Sequence, residues 1–258
     1  MTPDAAHLAV LACAGLVGGI GITALGPGGV IPTIGLFLFS GLGPSGVAGT
    51  AIVTHVATGL LGTAAYARSG QLRDPATRRC AAALAGAAVA GTPLGVLLNT
   101  RVGGRGFGIL LAVAVAVTAL LVLVRDARTG KGAVPAPDAA GVPVGRAVLV
   151  GFVVSVTAGL FGLGGPMLSV PLLIVCGLPV LSALAAAQAQ SVVVAAVGSI
   201  AYVGQGAVDW GLAAVVGVPE LAGVLVGWRI AHALPARRLT RALVVCLLVL
   251  APYLAWHA

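Results

Sequence analysis

The chain has 258 residues, of which 59% are hydrophobic and only 8% charged, with a mean hydropathy of +1.13. A soluble domain carries about 25% charged residues, so this composition excludes a soluble enzyme, a nucleic-acid binder and a disordered chain. The net charge of +8 is better read as the Lys/Arg excess of membrane-protein loops than as a nucleic-acid footprint.

Taken in chain order, apolar runs bounded by polar or Gly/Pro breaks give ten segments. They cover roughly 7–25, 29–42, 45–67, 80–99 and 106–124, then 147–162, 166–177, 180–203, 211–231 and 239–256. Runs such as Gly106–Val124 are apolar on every face, which excludes the alternating strands of a membrane barrel. The expected class is therefore an all-α polytopic membrane protein. Met1–His7 holds no Lys or Arg ahead of the first run, so that run is expected to be a retained span and not a signal peptide. Most segments approach the roughly 20 residues that cross a bilayer. Segments 29–42 and 166–177 reach only about 18–21 Å as helices, and each is a short span, a half-helix or a re-entrant piece.

Basic residues favour the count in which both short segments cross. Loops 68–80, 125–146 and 229–241 then share one side and hold all of the 14 Lys/Arg except Arg101 and Arg105. By the positive-inside rule that side is cytoplasmic and both termini face outward, as expected for a multi-pass protein of the inner membrane.

A repeat divides the chain. Gly28 and Gly164 lie 136 residues apart, and at that offset Gly29/Gly165, Gly41/Gly177, Val56/Val192, Gly62/Gly198, Tyr66/Tyr202 and Gly70/Gly206 also match. A second block aligns Gly91/Gly223, Gly95/Gly227 and Arg105/Arg237. The expected organisation is a first transmembrane repeat over 1–124, a cytoplasmic linker over 125–146 and a second repeat over 147–258. With five crossings per half, the repeats are inverted, the arrangement that secondary transporters place around a central substrate site.

The residues of the two halves carry a resemblance. The breaks GPGGVIPTIGL from Gly26 and GLGGPMLSVPLL from Gly162, the Gly49-Thr50-Ala51 step, and the span ends TAAYARSGQLRD and SIAYVGQGAVDW are similar to those of the TauE/SafE sulfite exporter-like permeases. The chain departs from a perfect repeat in reading Ala185-Ala186-Ala187 where the first half has Gly-Thr-Ala. The resemblance covers nearly the whole chain and implies transport of sulfite, organosulfonates or related oxyanions, with export as the expected direction.

Gly28, Gly29, Gly164 and Gly165 are the leading candidates for an anion site. A helix that starts inside the membrane offers unpaired N–H groups and the positive end of its dipole; the alternative is close helix packing. Thr50 and Thr54, with Thr58, share one helical face, and Gln188 and Gln190 lie on the counterpart segment; all are neutral donors suited to an oxyanion or to interhelical bonding. Glu220, deep in 211–231, and His55 are candidates for proton coupling, since ionisable groups inside a membrane are functional by default. Tyr66, Tyr202, Trp210, Trp228 and Trp256 are expected at the membrane interface. The four cysteines, Cys13, Cys80, Cys176 and Cys246, show no metal-type spacing and read as packing residues.

No nucleophile–base set, metal motif or cofactor motif is present, so a non-enzyme without cofactor is expected. The expected partners are a small anion and the lipid bilayer, no nucleic acid, with a homo-oligomer left open. An anion channel of the same architecture and a non-transporting membrane scaffold are the alternatives.

Overall fold

The computed structural model describes residues 4–129, 142–233 and Leu248. Among them the order is α1 (Ala5–Ala24), a 3-10 turn (Pro27–Gly29), α2 (Val30–Phe39), α3 (Pro44–Arg68), a 3-10 turn (Gln71–Arg73), α4 (Pro75–Asn99) and α5 (Gly104–Thr129). After residue 142 follow α6 (Val144–Phe161), α7 (Pro166–Val175), α8 (Val180–Gly204) and α9 (Trp210–Ala233). Seven of these helices are long and apolar enough to cross a membrane, whereas α2 and α7 have ten residues each. The expected segment 239–256, most of the linker, Arg237, Cys246 and Trp256 lie outside the described residues.

The helix surfaces are inverted relative to a soluble protein. Leu120, Leu149, Val218 and Ile200 are 60–76% exposed, while the buried interior holds threonines, glutamines, His55 and Glu220. Apolar side chains that face outward need lipid as their solvent. Polar caps sit at the helix ends instead. Asp74 caps α4 by accepting from the Thr77 hydroxyl at 2.7 Å and the Thr77 N–H at 2.8 Å, with Pro75 pre-set in the first turn. Those donors hold the Asp74 carboxyl below its usual range.

The two halves repeat each other in backbone detail. Every described glycine with positive φ has a partner 136 residues on: Gly26 with Gly162, Gly41 with Gly177, and Gly70 with Gly206. The spans of α2 and α7, and of α3 and α8, match at the same spacing. Tyr66 Oη donates to Thr23 O at 2.6 Å, and Tyr202 Oη donates to Gly159 O at 2.7 Å, again equivalent positions. This corrects the expectation for both tyrosines: each is wholly buried and clasps the end of its repeat's first helix. Trp210 is exposed, and Trp228 donates from Nε1 to Ser69 Oγ at 3.2 Å.

The repeats are inverted. A Cβ on Gly49 would lie 2.7 Å from Ala207 O, and one on Gly62 would lie 2.7 Å from Gln188 Oε1. Positions advancing along α3 thus meet positions retreating along α8, and the two equivalent helices are antiparallel. The repeats also interlock. The most extensive pairings are α1 with α9 and α4 with α6, so the fourth helix of each repeat lies against the first helix of the other. Glycines allow the approach: Gly223 and Gly227 sit on the backbone of Leu16 and Ile20, and Gly91 and Gly95 on that of Phe152 and Val156.

The short helices fold back. Gly28 meets Gly21, Pro32 meets Gly18, Gly35 meets Ala14, and the Phe39 ring reaches His7 with centroids 5.8 Å apart. α2 therefore returns to the end where α1 began, and α3 starts there. This direction agrees with counting the short segment as a crossing and disagrees with an excursion that leaves α3 on the opposite side. Arg68, Arg73, Arg78, Arg79, Arg146 and Arg229 then fall at one end of the bundle, with Arg101 and Arg105 at the other.

Candidate anion site at the paired helix breaks

The two breaks meet. A Cβ built on Gly26 would lie 2.7 Å from Val170 Cγ2 and 3.0 Å from Pro166 O, which joins the first break to the start of α7. Both breaks are level with the middle of the 25-residue helices α3 and α8. A Cβ on Gly29 would stand 3.0 Å from His55 Nε2, and one on Gly164 would stand 2.9 Å from His55 Cδ2 and 3.2 Å from Ser191 Oγ. Gly29 and Gly165 are the N-caps of α2 and α7, and neither cap receives a side-chain hydrogen bond. Two helix N-termini thus begin in the buried centre, α7 with Pro166, which has no N–H, and α2 directly behind the 3-10 turn, and each turns the positive end of its dipole inward.

The four glycines have different surroundings. Gly29 and Gly164 face the His55 ring. Gly28 is pressed on the backbone of Gly21 and Ile22, and Gly165 on the backbone of α8 at Ser191. Only Gly29 and Gly164 combine a missing side chain with the open edge of an ionisable group.

His55 and Glu220 are the ionisable pair at the centre. They are 1% and 0% exposed, and His55 Nε2 lies 3.4 Å from Glu220 Oε1. The other ring nitrogen, Nδ1, is 2.7 Å from Ala51 O. Nε2 and both carboxyl oxygens have no hydrogen-bond partner among the described residues, and Gln188 Oε1 is also unpartnered. Such groups are costly in a low-dielectric interior, and as acceptors they call for a proton or another donor. Gln188 Nε2 donates to Ile22 O at 3.2 Å, close to the first break.

The remaining candidates are engaged elsewhere. Thr50 Oγ1 accepts from Asp209 N at 3.0 Å, where the chain enters α9. Thr54 Oγ1 donates to Ala51 O at 2.9 Å, and its methyl side packs on Gly217. Gln190 accepts from the Ser169 hydroxyl and donates to Gly151 O and to Ser155 Oγ at 3.2 and 3.1 Å, tying α6, α7 and α8 together. Ser191 lies in the centre although polarity alone does not single it out. The repeat does, because Ser191 occupies the position that corresponds to His55.

A membrane-embedded bundle of inverted repeats with opposed helix breaks calls for a transport family, and the profile of the Sulfite exporter TauE/SafE family matches residues 11–254. The chain belongs to the TauE/SafE family. The match spans both repeats, so it takes in both breaks, His55 and Glu220 together. This TauE/SafE protein is accordingly a multi-pass membrane transporter. No curated protein and no solved structure matches the chain.

Proposed function

We propose that this protein is a secondary transporter that exports a small sulfur-containing anion, such as sulfite or an organosulfonate, in a proton-coupled cycle. The family supplies the anion class. The observation that carries the reading is the convergence of the Gly29 and Gly164 breaks on His55, with Glu220 3.4 Å behind it. Two dipole ends and an imidazole favour a negative solute, while backbone N–H groups and neutral side chains bind it without the permanent trap of an Arg or Lys. Gln188 and Ser191 complete the lining. In this reading Gly28, Gly165, Thr50, Thr54 and Gln190 hold the frame in which the two breaks face each other.

The concentration of Arg at the α3–α4 and α9 ends supports reading that face as the cytoplasmic side of an inner membrane, with both termini on the opposite side. The 125–146 division is proposed as a cytoplasmic linker between the repeats.

The test is flux in proteoliposomes loaded with sulfite, thiosulfate or isethionate. Saturable exit that accelerates under a proton gradient is expected. Gly164→Val, which drives a side chain against the His55 ring and Ser191, is expected to stop it while the protein still purifies as a folded species. Glu220→Gln is expected to displace its pH dependence, and an unchanged wild-type profile would exclude this carboxylate from coupling. A flux that never saturates would make the protein a channel.

A further inference from the structure

We infer that the anion binds together with about one proton, because the anion and Glu220 compete for the same nitrogen of His55. This rests on the proposed anion site and adds the stoichiometry and the proton's destination.

A carbonyl oxygen only accepts, so His55 Nδ1, 2.7 Å from Ala51 O, carries the hydrogen. In the neutral ring Nε2 is then a bare acceptor. Nε2 is also the atom turned toward Gly29, with the adjacent ring carbon turned toward Gly164. A bare acceptor repels an anion. The ring therefore offers the site a donor only as imidazolium, with hydrogens on both nitrogens.

Glu220 Oε1 stands 3.4 Å from that same Nε2; neither carboxyl oxygen makes a hydrogen bond of normal geometry among the described residues, and the neutral Thr54 hydroxyl is the other donor beside the carboxyl. Besides the Nδ1 hydrogen, the empty pair holds one mobile proton, either on the carboxyl facing bare Nε2 or on Nε2 facing a carboxylate. A bound anion takes the Nε2 hydrogen for itself. A carboxylate left beside it would be a second buried negative charge without a partner, which is strongly unfavourable. Glu220 therefore accepts a proton from solution as the anion arrives. The occupied site holds an imidazolium, a carboxylic acid and the anion: one proton gained, none lost.

No other nearby group upsets this balance. α8 presents Ser191 and Gln188, α3 presents Thr54, and α1, α2 and the α7 break present backbone and apolar atoms; none of these titrates. The other buried titratable side chains among the described residues are Tyr66, Tyr202 and Cys80. Both tyrosine hydroxyls are bonded to backbone carbonyls at the helix ends, and Cys80 lies in the first turns of α4.

The experiment titrates the purified full-length protein with isethionate and, separately, thiosulfate, neither of which changes charge between about pH 5 and 8. A pH-indicator dye in weak buffer counts protons, and calorimetry gives Kd against pH. The expected result is uptake of about one proton per anion, with Kd falling about tenfold per unit decrease in pH across the titration window. His55→Gln keeps a donor but cannot titrate, so its binding is expected to be free of proton uptake. Wild-type binding with no proton taken up overturns the inference and leaves the anion site standing. Undiminished uptake in His55→Gln overturns it as well. Should no sulfur anion bind at all, the underlying site reading falls and takes this inference with it. The wild-type titration decides alone if His55→Gln does not fold.

Discussion

Two regions of the molecule treat the internal repeat in opposite ways. The tyrosine clasps occur twice: Tyr66 reaches Thr23 O and Tyr202 reaches Gly159 O, at 2.6 and 2.7 Å. The charged pair occurs once. Positions equivalent to His55 and Glu220 are Ser191 and Ala88, both buried and neither charged. Duplicated contacts close each repeat and are demanded by the fold in both orientations. The unduplicated pair adds nothing that the fold needs twice, and buried ionisable groups are expensive to keep in a membrane. Scaffold is therefore symmetric here, and the buried ionisable groups are confined to one half.

The sharpest way to break this contrast is to make the halves alike. His55→Ser copies the residue of the second repeat into the first. A hydrogen bond to a charged group is worth about 1.5–3 kcal/mol, so anion flux in proteoliposomes is expected to fall roughly ten- to hundredfold. Ser191→Ala, at the equivalent position, should lower flux by no more than about threefold. Equal losses from the two variants would mean that the half-sites share the work and that the asymmetry has no functional weight.

The interlocked glycines should show the reverse pattern, with matched effects in both halves. Gly223→Val on α9 forces a side chain into the Leu16 and Ile20 backbone, and Gly95→Val on α4 does the same to Val156 and Leu160. Each is expected to cost about 1–3 kcal/mol by overpacking, read as a lower melting temperature in detergent. If one variant were neutral and the other severe, the swapped pairings α1–α9 and α4–α6 would not be equivalent. Tyr66→Phe and Tyr202→Phe should come next, each about 1 kcal/mol, since each leaves one carbonyl without its donor. Anion flux is expected to survive both. A difference between them well above about 1 kcal/mol would count against the clasps as a duplicated device.

Much of this arrangement was legible before any coordinates. The Gly26–Gly29 and Gly162–Gly165 breaks, the short segments after them and the Arg-rich loops predict the helix directions that α1, α2 and α3 follow. The depth of Glu220 predicts its burial. Other features were hidden for physical reasons. Tyr66 and Tyr202 near span ends look like interfacial anchors, because local sequence does not reveal that an adjacent repeat element will cover the ring. Thr50 and Gln190 have the polarity of a binding residue, yet a polar group can be spent on a helix entry or on a neighbouring serine, and spacing cannot tell which. Depth pairs His55 with Glu220 as coupling candidates, but the contact itself links α3 to α9 across 165 positions and depends on helix rotation, which a nearly uniform apolar pattern leaves undetermined. Ser191 was accessible through the repeat register alone.

The smallest expected effect lies outside the bilayer and tests whether the caps belong with the scaffold. Asp74 accepts from Thr77 through both hydroxyl and backbone N–H, and these donors hold its carboxyl below the ordinary value of 3.8. A group whose folded value is depressed contributes stability above its unfolded value, and that contribution is lost as pH falls through the folded value. Asp74→Ala should therefore lower the melting temperature at neutral pH by about 1–3 °C, with the gap to wild type closing as the pH falls below the ordinary carboxylate range. The solvent-exposed setting keeps the effect small, because water competes for the same donors. Anion flux should not change, since the cap sits at the very start of α4. A gap that persisted undiminished in acid would assign the stabilisation to packing at the helix start and not to the charge of the cap.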